Sequence, residues 1–421
     1  MIWKLIKILF ILHDPWNDTT QNPIFMASEH NPKNRGSGQI LKTRLLYLCF
    51  YMALGAFFPF INLYYQQIGL SGVQIGTLSA LPLIVTSSTS LFWGVLADTL
   101  RLHRRILSFS LLLSACTVYL ISKTSQYELL IPVVMIYAFF ATPITPLLDT
   151  AALDTVDTNK GTFGGMRVWG TIGWIVSTWV VGILIDRFGI LWLFYSYIAL
   201  LGVTFLVSLT QPARGQIPRP SIRQSLRQLL TRQTLIFFLI SVFLLAITVG
   251  TVDYFFSLYM HGLGANEGTI GLAWSISAST EIPMMLYSGT LLRTIGVNGM
   301  LSIAFITYAL RWLLFSFIQT PGWVLPVQLL QGLSFSTFLV ASVTYINDHT
   351  PKSLRTTGQS ILATVSFGLG PIVGALMGGY FYDMVGMTVL FRIITVMTLV
   401  GLGVFIIASR YKGNTKRTGE P

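Results

Sequence analysis

The sequence predicts an all-α polytopic membrane protein with twelve transmembrane helices in two pseudo-symmetric halves of six. Three observations carry that expectation: too little charge for a water-facing surface, apolar stretches long enough to cross a bilayer, and basic residues confined to alternate loops. Of the 421 residues, 53% are hydrophobic and 10% are charged, whereas a soluble domain carries about 25% charged residues. Lipid-facing surface needs no charge, and in lipid only helices and closed barrels satisfy every backbone amide. The apolar stretches reach the roughly 20 residues a spanning helix needs. They lack the period of two that barrel strands require.

Spans are expected near 44–66, 74–98, 106–122, 129–150, 165–186, 190–209, 233–259, 268–291, 296–318, 322–346, 358–382 and 388–410. Short loops join most of them. The exception is the polar, proline-containing segment 211–232, which divides six spans from six. The expected organisation is an N-terminal segment over 1–42, a first half over 43–210, a linker over 211–232, a second half over 233–410 and a tail over 411–421. Cys49 and Cys116 both lie inside spans, which argues against a disulfide framework.

The net charge is +12. In a soluble protein it would point to nucleic acid. Here the cations sort by loop: the four from Lys33 to Arg44, the loop with Arg101, Arg104 and Arg105, Lys160, the five arginines of the linker, Arg293, Lys352 with Arg355, and the four from Arg410 to Arg417 all fall on one side, twenty in total. The other side holds only Lys123 and Arg187. This is the positive-inside pattern. It predicts a multi-pass protein of the cell (inner) membrane with both termini in the cytoplasm, in contact with membrane lipid and not with nucleic acid. The opening run MIWKLIKILFIL is too short to span and lacks a signal-peptide cleavage site. Met26 begins a short polar stretch and is the expected native start; alternatively the extension lies on the membrane surface.

An internal repeat supports the two halves. Gly182-x-x-x-Asp186-x-x-Gly189 ends span 5, and Gly379-x-x-x-Asp383-x-x-Gly386 ends span 11, 197 residues later. Gly94-x-x-x-Asp98 ends span 2, and Gly289-x-x-x-Arg293 ends span 8, 195 residues later. Small residues alone allow close helix packing, but packing does not require matched offsets. Two halves that rock around a central site do. The loop after span 2 reads Gly94-Val-Leu-Ala-Asp98-Thr-Leu-Arg101-Leu-His-Arg104-Arg105. Asp98 could pair with Arg101 or a neighbouring helix and hold one access state closed, or simply be a solvated acid beside basic residues.

Charges inside spans are expensive, about 2.5–3.5 kcal/mol each on insertion scales, and are candidates for function. They are Asp149, Arg167, Asp253, Glu281 and Arg311. Asp149 and Arg167 lie on consecutive spans, and Glu281 and Arg311 each lie midway along theirs. Two pairs are therefore expected, either as static ion pairs or as sites where a carboxylate takes up and releases a proton. Trp174 follows Arg167 at i+7, on the same helical face. It either packs in the bundle or offers a ring for stacking a solute.

The loop from Gly94 to Arg105 resembles the cytoplasmic signature of the major facilitator superfamily, with Thr99 and the longer Leu102-His103 turn as departures. The stretch PLLDTAALDTVDTNKGTFGGMRVWGTIGW, Pro146 to Trp174, resembles the lactose-permease-like proton symporters of that superfamily, which carry sugars, nucleosides or phenylpropionate. The resemblance implies the major facilitator fold, solute binding by Asp149, Arg167 and Trp174, and gating by Gly94, Asp98, Arg101, Arg104 and Arg105. It further implies a proton site around Glu281 and Arg311, and leaves Asp253 as an additional coupling candidate. Gln328, Gln331 and Ser334 stand where that subgroup carries charged coupling residues, and Phe367 stands where it carries a lysine. Lactose is therefore not implied, and any proton path differs.

The expected activity is secondary active uptake by a monomer of a small organic solute of the sugar, nucleoside or aromatic-acid class, by alternating access with protons as coupling ion. Export of drugs or metabolites is the alternative. The Gly-Pro-x-x-Gly signature of exporters is absent from span 5, although Gly370-Pro371-Ile-Val-Gly374 occurs in span 11. A non-transporting receptor fits poorly with the repeat. No metal-ligand cluster, nucleophile elbow or phosphate loop is evident, so neither an enzyme nor a cofactor is expected.

Overall fold

The computed structural model describes residues 37–100, 102–159, 163–210, 233–351 and 354–415. The segment 1–36 with its two possible starts, the linker 211–232, Arg101 and the last six residues lie outside them. Among the described residues, nine helices are long and apolar enough to cross a membrane. Two of the nine each hold two spans. Glu267–Phe315 turns at Gly296 and Gly370–Thr415 turns at Gly386, where φ values of 70° and 73° leave the helix in a region glycine enters without a Cβ penalty. With the shorter apolar helix Trp192–Ser208, the spans are twelve.

Two spans run further than expected. Span 1 starts at Ser37, and span 4 continues through Ile144–Asn159. Hydropathy marks where a helix meets lipid, whereas hydrogen bonding ends the helix, so polar turns can project past the bilayer. Prolines break two spans locally. Pro59 lies between the helices Ser37–Phe57 and Ile61–Gln67, and Pro143 between Tyr127–Ala141 and Ile144–Asn159.

The repeat is present in the backbone. Gly69 and Gly264 have φ of 86° and 85° in the turns after spans 1 and 7, and Gly189 has φ of 93° where Gly386 has 73°. All but Gly296 of these positive-φ glycines lie at one end of the bundle, opposite the end where the chain enters and leaves. That far end is called the distal end here, and the other the terminal end.

The halves meet through spans 2 and 11 and through spans 5 and 8, in their distal portions. A Cβ on Gly76 would lie 2.3 Å from the Ala375 carbonyl oxygen, and one on Gly271 would lie 2.0 Å from that of Thr178. Side chains at these positions would hold the halves apart. Around them polar groups cross the seam: Asn62 donates to the Tyr254 carbonyl at 2.7 Å, and Ser275 and Thr178 share a 2.7 Å hydrogen bond.

Candidate functional site

Between the halves lies a cavity of about 380 Å³, within the range of small-molecule sites. Its distal roof is aromatic and drawn from both halves. Phe58 and Trp174 come from the first and Trp274 from the second, with Tyr254 packed behind Phe58 and ring centroids 5.5–6.2 Å apart. Sequence reasoning singled out only Trp174 of the four. The others carry no local signal, because what selects them is their convergence from spans 1, 7 and 8.

Span 5 supplies most of the first-half wall. Arg167, Thr171 and Trp174 line the cavity at i, i+4 and i+7. Its opposite face is stripped of bulk so that span 1 can approach. A Cβ on Gly173 would lie 2.4 Å from the Leu48 carbonyl oxygen, and the Ser177 hydroxyl donates to the Met52 carbonyl. Close packing on one face fixes the direction of the other.

Asp149 and Arg167 do not form an ion pair in this state. The carboxylate of Asp149 accepts a short hydrogen bond from the hydroxyl of fully buried Tyr47. The Tyr47 ring stacks on Tyr51 at 5.9 Å, and Tyr51 lines the cavity beside Arg167. Asp149 therefore sits behind a tyrosine wall and is not itself part of the lining. Tyr51 interacts electrostatically with both charges. The expected pair is replaced by an acid–tyrosine–tyrosine–arginine sequence because span 1 intervenes between spans 4 and 5.

The second-half wall carries Asp253, Glu281 and Gln331. Arg311 lies behind it, 2% exposed. The three residues that depart from the charged pattern of the resembling symporters hold this arginine: it donates to Gln328 at 2.8 Å, to Ser334 at 3.1 Å and, by a shorter contact, to Gln331. Trp312 adds its ring face 5.0 Å away. Glu281 does not touch Arg311 directly. The amide of Gln331 bridges them, donating to Glu281 at 3.1 Å through Nε2 while its oxygen faces the guanidinium. The bridge is positioned by a close helix contact. A Cβ on Gly332 would lie 2.1 Å from the Thr280 carbonyl oxygen, and the Gly332 N–H donates to the Thr280 hydroxyl at 3.0 Å. Span 10 is wound more loosely over Gly332–Ser336, and span 11 over Val365–Leu369. Such π-turns recur at functional positions, and both border the cavity.

Asp253 differs from Glu281. It is exposed to the cavity and accepts no hydrogen bond and forms no ion pair among the described residues. The Ser366 hydroxyl, on a residue lining the cavity, is buried without a partner among the described residues. Unsatisfied polar groups in a cavity wall cost about 1–3 kcal/mol each unless water or a ligand meets them. Phe367 lines the cavity as well.

The loop motif expected to gate, Gly94 to Arg105, lies apart from this site, at the terminal end. Asp98 pairs at 3.2 Å with His103, which is the first helical residue of span 3 and not part of a longer turn, and Arg104 and Arg105 are exposed. Arg101 lies outside the described residues. A Cβ on Gly94, or on Gly289 in the matching position, would meet nothing within 4 Å.

Comparison with known proteins agrees with this architecture. The MFS_1 like family matches residues 40–393. The maltose permease of Geobacillus stearothermophilus is 28% identical over 369 residues, covering 87% of this chain and 93% of the permease. A probable 3-phenylpropionic acid transporter of Escherichia coli is 25% identical, covering 85% and 93%. The crystal structure of the nucleoside transporter NupG superposes with a TM-score of 0.80 at 19% identity, covering 89% of this chain and 99% of that one. The described spans, the cavity between two six-helix halves and the match over most of the chain make this protein a member of the MFS_1 like family, a multi-pass membrane transporter of the major facilitator superfamily.

Proposed function

We propose that the protein takes up a small polar, ring-bearing solute of the sugar, nucleoside or aromatic-acid class by alternating access, driven by proton entry. It acts as a monomer in the cell membrane, with the terminal end in the cytoplasm. The observation that carries this reading is the composition of the cavity. Arg167 stands on one wall, Asp253 and Glu281 on the other, and an aromatic roof closes the distal side. Hydroxyl and ring-nitrogen groups find donors and acceptors on both walls, and a ring face finds Trp174. Arg167 and Trp174 contact the solute, and Asp149 acts through Tyr47 and Tyr51. Glu281 and Asp253 share one neighbouring cation, Arg311, so at most one of the two carboxylates is neutralised by it. The other is a place for a coupling proton. Relatives named for maltose, phenylpropionate and nucleosides support the solute range. The Gly370-Pro371-Ile-Val-Gly374 string does not call for an exporter. A Cβ on Gly374 would lie 2.4 Å from the Ile247 carbonyl oxygen, so the small residues serve packing of span 11 on span 7.

The test is uptake into vesicles with an imposed pH gradient, across a panel of labelled sugars, nucleosides and aromatic acids. Uphill accumulation should follow the gradient and collapse when it is dissipated. Glu281→Gln should abolish accumulation while exchange of labelled solute survives. Wild-type uptake of a panel member that ignores the gradient would sink the coupling. Coupled uptake that persists in Glu281→Gln would move the proton to Asp253.

A further inference from the structure

The sequence repeat at the ends of spans 5 and 11 has a use that neither close packing nor solute binding accounts for. At the distal end, the Asp186 carboxylate accepts the backbone N–H of Glu267 at 2.7 Å with one oxygen and that of Gly268 at 2.9 Å with the other. These are the first two residues of span 8, in the other half of the molecule. The Asp383 carboxylate accepts the N–H of Gly72 at 2.7 Å and of Val73 at 2.9 Å. These are the first two residues of span 2, again in the opposite half. The backbone geometry is the same twice, related by the internal repeat, while the Glu267 side chain also interacts with Asp186 and the matching residue beside Asp383 is Gly72.

The glycine four residues before each aspartate makes the reach possible. A Cβ on Gly182 would lie 2.4 Å from the Glu267 carbonyl oxygen, and one on Gly379 would lie 2.2 Å from that of Gly72. The first N–H groups of a helix have no partner inside it, and the helix dipole favours an anion there. Each carboxylate thus supplies a charge-assisted pair of hydrogen bonds that exists only while the halves touch at this end.

We propose that Asp186 and Asp383 form a pair of two-fold-related clasps that hold the distal gate shut and set how often the transporter opens to that side. The bonds suit a reversible gate. Both clasps lie at the water-facing end of their spans, so each carboxylate and each amide regains water when the halves part. The net preference of each clasp for the closed state is modest, about tenfold in the equilibrium. The two share no residue, so their effects multiply to about a hundredfold. They are positioning residues: they touch neither the cavity nor a solute, and they act through the two helix starts they hold. The proposal rests on alternating access but not on the coupling ion or the identity of the solute.

The test uses distance measurements between spin labels, with Cys49 and Cys116 replaced by alanine. One label pair, Ser125→Cys with Gln319→Cys, sits on exposed turns of the two halves at the distal end. The other, Thr99→Cys with Thr356→Cys, sits on exposed positions at the terminal end. In the otherwise unmodified chain the distal pair should show one short distance. Asp186→Ala and Asp383→Ala should each raise the population with a longer distal distance about tenfold, and the double variant more than either. Asp186→Asn and Asp383→Asn, which keep one acceptor oxygen, should have smaller effects in the same order. In every case the terminal pair should shorten as the distal pair lengthens. Unchanged distal distances in the double alanine variant would overturn the proposal. So would distal lengthening without terminal shortening, because that reports a loosened end and not a released gate. Failure of proton-driven uptake with these distances behaving as stated would leave the clasps standing and count only against the coupled reading.

Discussion

The two ends of the bundle carry the same short motif and use it differently. At the distal end, Gly182-x-x-x-Asp186 and Gly379-x-x-x-Asp383 reach across to the opposite half, with backbones so close that a single added methyl would collide. At the terminal end, Gly94-x-x-x-Asp98 finds no neighbour for its glycine, and its aspartate bonds to His103, at the start of span 3 in its own half. The fourth copy, Gly289-x-x-x-Arg293, carries the opposite charge and cannot cap a helix start at all. Two acids can therefore close the distal end, and only one can close the terminal end. The molecule rests closed where it has two.

The largest expected effect comes from forcing the tight end apart. Gly182→Val or Gly379→Val places branched carbon against a carbonyl oxygen that lies 2.4 or 2.2 Å from the ideal Cβ position. Overpacking of a well-fitted contact costs about 1–3 kcal/mol, which the molecule can avoid by parting the halves at the distal end. Either variant should leave the cavity predominantly open to the distal side. The check is labelling of a cavity cysteine, Ser277→Cys, by a membrane-impermeant thiol reagent added from that side, which should rise at least tenfold. Labelling at the unmodified rate would mean that the seam absorbs the side chain without opening.

Gly94→Val should give an intermediate effect of a different kind. No atom lies within 4 Å of the added Cβ in the present state, so thermal stability should stay within about 0.5 kcal/mol, as for other surface changes. Under the proposed alternating access the terminal end must close, and there the branched side chain would meet the other half. Uptake should fall severalfold with the folded state intact. A variant with normal stability and normal uptake would show that span 2 never approaches its partner at that end.

The sequence disclosed most of what depends on neighbours along the chain. Span positions follow from hydropathy, and the halves follow from matched glycine and aspartate offsets. Arg167 and Trp174 share a helical face because i+7 is geometry within one helix. What it concealed depends on how helices rotate against one another. Asp149 and Arg167 read as a pair because their spans are consecutive, yet span 1 places Tyr47 and Tyr51 between them. Gln328, Gln331 and Ser334 read as missing charge, yet they are the hydrogen-bonding shell of Arg311 and the bridge to Glu281. The repeat was legible as a repeat, while its use was not, since nothing local tells an aspartate which helix start it will meet some 80 or 300 residues away.

The smallest effect tests the contrast at a single contact. Asp98 is bound to His103 across 3.2 Å; the Asp98 side chain is partly accessible, whereas His103 is largely buried. Partly exposed ion pairs contribute about 0–1 kcal/mol, so His103→Gln should change stability by less than that and should not open the distal end. Its effect should appear in the balance of states. With His103 gone, Asp98 loses its local partner and becomes available to the opposite half, where span 11 begins near Arg355 just as span 2 begins at Gly72 beside Asp383. His103→Gln should therefore raise the terminally closed population about two- to threefold, roughly 0.4–0.7 kcal/mol at 1.4 kcal/mol per tenfold. Asp98→Asn should lower it, since an amide is a poorer cap for a helix start than a carboxylate. The Thr99→Cys and Thr356→Cys label pair reads both. Shifts of the same sign in the two variants would mean that the Asp98–His103 contact matters only to the loop that contains it.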